Sequence, residues 1–240
     1  MMRMMNKPAL LLYFIASAVF MLSVILNNTE LMLISKPVIV PAIVFYYLQE
    51  KKMIVNWVYM AIVSLFFACD MITLIDPDSF FPLIISLFLL GYLIYFKGIF
   101  DDFIRIRYHF VNRTHLLVLL ICIFLLVFLQ VSLMDIVMAS RTEYVWLLVI
   151  YGVVLVLIGF ISSWNYIMLP SRYTTFMLLA SLSFIISDVF YVLKKDYFEI
   201  EILEYVNNLA QVLSYYYLTK YFLTKKSRQR NRNNSYIKNT

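Results

Sequence analysis

Residues 8–26 read PALLLYFIASAVFMLSVIL, and how they are read decides the fold. Arg3 and Lys7 precede the block, and Ala16-Ser17-Ala18 has the small residues of a signal-peptide cleavage site. The apolar run continues past it through Val19-Phe20-Met21-Leu22. A stretch of about 18 residues is longer than the usual apolar core of a signal peptide. It suits a helix that crosses a ~30 Å hydrocarbon layer. The block is therefore read as a first transmembrane helix.

The same pattern recurs along the chain, at about 31–49, 53–75, 80–99, 115–135, 143–163, 172–193 and 203–224. Short polar turns separate the early blocks: Asn27-Asn28-Thr29-Glu30, Glu50-Lys51-Lys52 and Asp76-Pro77-Asp78-Ser79. The longest connection, near 100–114, holds Arg105, Arg107 and Arg113 with Asp101 and Asp102. Of the 240 residues, 63% are hydrophobic and only 14% charged. An average soluble domain carries about 25% charged residues, so this chain has too few to solvate a globular surface. Spanning strands would alternate apolar and polar over ~10 residues, and no such alternation is present. The expectation is an all-α polytopic membrane protein, a bundle of eight transmembrane helices over 1–224. The tail, 225–240, is basic and rich in Asn; it is expected to be disordered and to lie against anionic headgroups.

Basic residues set the orientation. Of the 20 Lys and Arg, 16 fall at the termini and in the loops on their side, three (Arg141, Lys194, Lys195) on the other, and Lys36 inside a span. Under the positive-inside rule both termini face the cytoplasm, with the protein in the plasma (inner) membrane. Losing one helix would reverse every later loop and scramble this bias, so the asymmetry supports the helix count. The net charge of +6 is too modest to call for a nucleic-acid partner; lipid is the expected contact.

Cys69 and Cys122 lie in different apolar blocks, in no metal-like spacing, and are expected to pack as small hydrophobes. The four glycines form two pairs, Gly91/Gly98 and Gly152/Gly159. Members seven apart share a helix face, so both pairs are expected to bring helices close together.

Three ionisable residues lie within spans: Lys36, Asp70 and Asp188. A charge at a bilayer centre costs ~2.5–3.5 kcal/mol even on the lenient insertion scale. Each lies about five residues from the outer end of its span, roughly 8 Å deep at 1.5 Å per residue. One basic and two acidic groups thus share a level. They form either an ion cluster tying three helices together or a site opening to the outer leaflet. In the second case two carboxylates and a lysine make an acid–base set, one carboxylate ionised and one carrying a proton to donate. Other polar residues reach toward that level: Asn208, Gln211 and Tyr215 along one helical face, Tyr216 and Tyr217 just deeper, and Tyr92, Tyr95 and Tyr151 on spans four and six. Ser187 adjoins Asp188 but has no histidine near enough to activate it. His109 and His115, the only histidines, both fall at the inner end of span five, so no metal site is expected at the outer level.

Taken in order, Lys36-Pro37, a small residue before Asp70, Gly91-x-x-x-Tyr95, Ser187-Asp188 and Tyr216-Tyr217 resemble the YhhN-like family of eight-helix membrane proteins, which includes lysoplasmalogenases. The likeness covers spans two to eight. It implies hydrolysis of the vinyl ether bond of a lysophospholipid, giving a fatty aldehyde and a glycerophospho-alcohol, with no metal or organic cofactor. Asp70 and Asp188 would be the catalytic carboxylates and Lys36 their partner. Two positions depart from the family pattern. Cys69-Asp70 stands where a Gly-Asp pair is usual, and Gly91-Tyr92 where a Gly-His pair is usual. Tyrosine donates a hydrogen bond but is a poor base near neutral pH. A lipid or small-molecule carrier using the same Lys/Asp cluster, and a purely structural ion cluster, are the competing readings.

Overall fold

A computed structural model describes residues 7–51, 53, 55–76, 79–106, 113–140, 142–196 and 200–238. Arg3, Lys52, Pro77, Asp78, Arg107, His109, Arg141 and the side chains beyond Lys225 lie outside what it describes. The described chain forms eight α-helices. These are α1 (Pro8–Ile25), α2 (Thr29–Glu50), α3 (Trp57–Ile75), α4 (Phe81–Arg105), α5 (Arg113–Ser140), α6 (Val145–Met168), α7 (Arg172–Asp196) and α8 (Glu201–Lys238). A 3₁₀ turn, Thr142–Tyr144, precedes α6.

Local chemistry sets several ends. Asn28 Oδ1 accepts from the Leu31 N–H and so starts α2. Asn56 does the same for Val58 and Tyr59, which moves the start of α3 from the expected 53 to Trp57. Asn27, with φ of 50°, reverses the chain between α1 and α2. Pro37 and Pro41 lie inside α2, which continues through both. Two helices run past their expected ends because polar side chains there find buried partners. α4 reaches Arg105 with Asp102 bonded to Tyr221 and Lys225. α6 reaches Met168 with the Asn165 amide donating to the Ile99 carbonyl at 3.2 Å. The tail expected to be disordered from 225 instead prolongs α8 as helix to Lys238.

Seven of the helices, α1 to α7, are long and apolar enough to cross a membrane, which makes this an integral membrane protein. α8 does not reach that apolarity, and its place in the fold explains why. It packs against α7, α1, α2 and α3, so much of its surface meets protein rather than lipid. Asn208, Ser214 and Thr219 are buried there. α5 is the opposite case. Only 6% of its apolar window is buried, against 50% for α6, and it packs chiefly on α6 and α7.

The core is unusually rich in tyrosine. Tyr13, Tyr46, Tyr47, Tyr59, Tyr92, Tyr95 and Tyr221 are fully buried. The hydroxyls of Tyr13, Tyr46, Tyr59, Tyr92, Tyr95 and Tyr221 find partners inside the bundle, as a phenol removed from water does. Tyr13 donates to the Val212 carbonyl at 2.5 Å, and Tyr59 and Thr219 share a bond of 2.9 Å. Three glycines pack as expected: a Cβ on Gly91 would meet Phe66, one on Gly152 would meet Gln130, and one on Gly159 would meet Leu126 and Ile185. Gly98 does not, having nothing within 4 Å of that position. Cys69 is buried as expected, whereas Cys122, on peripheral α5, is partly exposed.

Candidate functional site

Asp70 is 3% exposed on the inner face of α3. One helical face of α8 supplies its hydrogen bonds. Gln211 Nε2 donates to Oδ1 and the Tyr215 hydroxyl to Oδ2, each at 2.5 Å. These two residues are four apart, so successive turns of α8 present both to one carboxylate. Lys36, from α2, places its ammonium 3.9 Å from Oδ1. That is an ion pair without a hydrogen bond.

Asp188 lies on α7 and is held in another way. The hydroxyls of Tyr92 (α4) and Tyr151 (α6) both donate to Oδ2, each at 2.8 Å. Among the described residues nothing bonds Oδ1. Next to it, Ser187 Oγ donates to Asn207 Oδ1 at 2.8 Å, a bond that ties α7 to α8.

A cavity of about 430 Å³ joins these groups. Lys36, Asp70, Tyr151, Ser187, Asp188, Asn208 and Gln211 line it, so seven of the residues expected at one level share one space. Tyr92 and Tyr215 bond the carboxylates without lining the cavity. The walls differ in character. Ile84, Ile85 and Phe88 of α4 with Leu148 and Leu155 of α6 form an apolar side. Glu204, Asn207, Asn208 and Gln211 form a polar stripe along α8. Where α7 ends and α8 begins, Lys194 pairs with Glu204, both lining the cavity.

Three expected site residues are elsewhere. The Tyr95 hydroxyl is committed to the Met177 carbonyl at 3.1 Å and Ser181 Oγ at 3.0 Å, within the core. Tyr216 packs against Tyr13 and Phe14, and Tyr217 stacks on Phe176. Each residue turns the helix by about 100°, so once Tyr215 faces Asp70 the next two must face away. Asn207, Lys194, Glu204 and Thr73 line the cavity but were missed in the sequence. For the first and third a signal was present: Glu204, Asn207, Asn208 and Gln211 recur at i, i+3, i+4 and i+7, a polar stripe along one face of α8. Among the described residues no group of three His, Cys, Asp or Glu side chains comes together to hold a metal ion.

The arrangement can move a proton and recognise an amphiphile. One carboxylate has a hydrogen bond on each oxygen, one has an oxygen that nothing bonds among the described residues, and the cavity has a polar and an apolar wall. No curated protein and no solved structure matches the chain. The model of the YhhN family does match, over residues 31–226, which takes in α3 to α7, nearly all of α2, and α8 as far as the position after Lys225. The chain belongs to the YhhN family.

Proposed function

We propose that this protein is a membrane hydrolase that cleaves the vinyl ether bond of lysoplasmalogen-type lysolipids, with Asp188 as general acid and base. The observation that carries the reading is the inequality of the two Asp188 oxygens. Oδ2 accepts two tyrosine hydroxyls, as the carbonyl oxygen of a neutral carboxyl group can. Oδ1 is then the oxygen that bears a proton, on a residue that lines the cavity. Asp70 has no such position. Both its oxygens accept strong bonds and Lys36 lies beside it, so it serves as a fixed negative charge.

The chemistry follows from these roles. The Oδ1 proton passes to the vinyl carbon remote from the ether oxygen, and the double-bond electron pair forms the new C–H bond. The resulting oxocarbenium ion is stabilised by the negative charge of Asp70. Water adds to the cationic carbon and gives a proton back to Asp188. The hemiacetal then breaks its bond to the glyceryl oxygen, which takes the hydroxyl proton. One water is consumed, and the products are a fatty aldehyde and a glycerophospho-alcohol. The apolar wall between α4 and α6 suits the single chain of such a lipid.

In the same reading α8 crosses the membrane as the eighth span, its polar stripe hidden in the bundle. Both termini then lie on the cytoplasmic side of the plasma membrane, the basic residues after Lys225 resting on anionic headgroups. Labelling single cysteines placed in the tail with an impermeant reagent, in intact cells and inverted vesicles, tests that topology. Turnover by the purified protein in micelles tests the function. The substrates are a lysoplasmalogen and the matching ester and alkyl-ether lysolipids. Aldehyde is expected from the vinyl ether alone. Silence on all three from folded protein, together with lipid accumulation in sealed vesicles, would instead establish a carrier.

A further inference from the structure

Lys36 is a largely buried ammonium whose hydrogen bonds are unspent among the described residues. Its side chain is 12% exposed and its nitrogen is 3.9 Å from Asp70 Oδ1. Gln211 and Tyr215 already occupy the Asp70 oxygens at 2.5 Å. The Phe20 ring lies 5.6 Å away on another side. Among the described residues no oxygen accepts a hydrogen bond from Lys36. An ammonium carries three donors, and burying them unpaired is costly. A purely structural ion pair would close to hydrogen-bond distance, as Lys225 and Asp102 do at 2.8 Å. Asp70 therefore balances the charge of Lys36 without using its donors, and Lys36 lines the cavity.

We propose that Lys36 is the anion-binding residue of this cavity, taking the phosphate oxygens of a single-chain phosphate ester rather than serving as the partner of Asp70 in proton transfer. The single chain rests on the hydrolase reading above; the anion does not. The polar stripe of α8 favours a phosphate ester over a bare carboxylate. It runs outward from Gln211 through Asn208 and Asn207 to the Lys194–Glu204 pair. A fatty acid would end at Lys36 and leave that wall unmatched. A phosphate ester continues along it with a second polar group.

The test uses ligands that cannot be cleaved at a vinyl ether, so it is independent of turnover. Purified full-length protein in micelles is titrated with an alkyl-ether lysophospholipid, with the alkylglycerol of the same chain, and with inorganic phosphate. Thermal unfolding midpoints give the apparent affinities. The lysophospholipid is expected to bind about tenfold or more tightly than the alkylglycerol, the value of one charge-assisted hydrogen bond. Lys36→Met and Lys36→Gln should erase that preference, and Lys36→Arg should keep part of it. Saturation by inorganic phosphate at concentrations like those of the lysophospholipid would assign the site to free phosphate; weak competition assigns it to the lipid headgroup. Equal affinities for the two amphiphiles in the wild-type protein, or a preference that survives in Lys36→Met, would overturn the proposal. If the variants fail to fold, the wild-type comparison decides alone. Absence of aldehyde in the turnover assay alongside a clear phosphate preference would sink the hydrolase reading and leave the anion site standing.

Discussion

Two clusters with the same ingredients sit at opposite ends of the bundle, both served by α8. At the end that the proposed topology turns outward, the outer end, are Asp70, Lys36 and Tyr215; at the opposite, inner end are Asp102, Lys225 and Tyr221. In the inner cluster every donor is used. Lys225 Nζ bonds the Gly98 carbonyl at 3.0 Å, Asp102 Oδ2 at 2.8 Å and the Tyr221 hydroxyl at 3.0 Å, while Tyr221 gives its own proton to Asp102 at 2.6 Å. In the outer cluster each carboxylate oxygen accepts a bond, whereas among the described residues nothing accepts a hydrogen bond from the lysine. The difference teaches that a buried carboxylate–lysine–tyrosine set is not in itself a site. A saturated set contributes stability and specificity, whereas one with unspent groups facing a cavity can act on a ligand.

The sharpest way to break this comparison is to change one carboxylate at each end. Asp188→Asn removes the proposed proton donor of the outer site. Vinyl ether turnover should fall by roughly 10²–10⁴-fold, the usual worth of general acid–base catalysis. The variant should unfold no earlier than wild type, because the amide oxygen can still accept from Tyr92 and Tyr151. Turnover within a fewfold of wild type would remove Asp188 from the chemistry.

Asp102→Ala makes the opposite change. It strands Lys225 and Tyr221, so the protein should lose about 1.5–3 kcal/mol of stability, the range for hydrogen bonds to a charged group. Thermal or denaturant unfolding in micelles reads this loss. Turnover per folded molecule should stay near wild type. A large fall in turnover with stability intact would mean that the inner cluster is coupled to the cavity and that the division drawn here is wrong.

A smaller effect separates holding a carboxylate from using it. Tyr92→Phe removes one of the two hydroxyls on Asp188 Oδ2 and leaves the ring packing on Phe66, Phe88 and Phe184. A lost hydrogen bond of about 1 kcal/mol corresponds to roughly a five- to tenfold fall in turnover, with little change in KM, because Tyr92 does not line the cavity. Tyr92→His restores the residue usual in the family resemblance and can still donate to Asp188, so it should recover most of the loss. A fall in Tyr92→His as deep as in Tyr92→Phe would count against a positioning role.

How much of this was legible in the sequence depends on the kind of feature. Apolar blocks mark the helices that lipid surrounds, so α1 to α7 could be read directly, and α5 most plainly because it is the least buried. The same signal weakens where the fold is most closed. α8 carries polar groups because other helices cover it, so its hydropathy understates its place in the bundle. The meeting of Lys36, Asp70 and Asp188 was readable from equal depth along their helices. Their pairing was not, because hydropathy carries no rotational phase between helices. Gln211 and Tyr215 could be placed with Asp70 once a face of α8 was chosen. Tyr216 and Tyr217 were placed by depth alone, and phase excludes them. Tyr95 lies one turn from Tyr92, close enough in depth to be taken for the same site, yet its hydroxyl is used by α7.

The glycines give the comparison its smallest and most delicate test. Gly91 and Gly98 share a face of α4, and sequence spacing treats them alike. Around them the structure is unequal. A Cβ at Gly91 would lie 2.4 Å from the Phe66 ring, while at Gly98 it would meet nothing within 4 Å. Phe66 is itself fully buried against Phe88, Tyr92 and Phe184, so it has little room to give. Gly91→Ala should therefore cost about 1–3 kcal/mol, as overpacking does. Gly98 contributes its carbonyl to Lys225, and an alanine keeps that carbonyl in place. Removing glycine's backbone freedom within a helix should then stabilise the protein by roughly 0.4–1 kcal/mol. A destabilised Gly98→Ala would show that the inner cluster needs its backbone to adjust. In that case its saturation would be less rigid than the hydrogen-bond pattern implies.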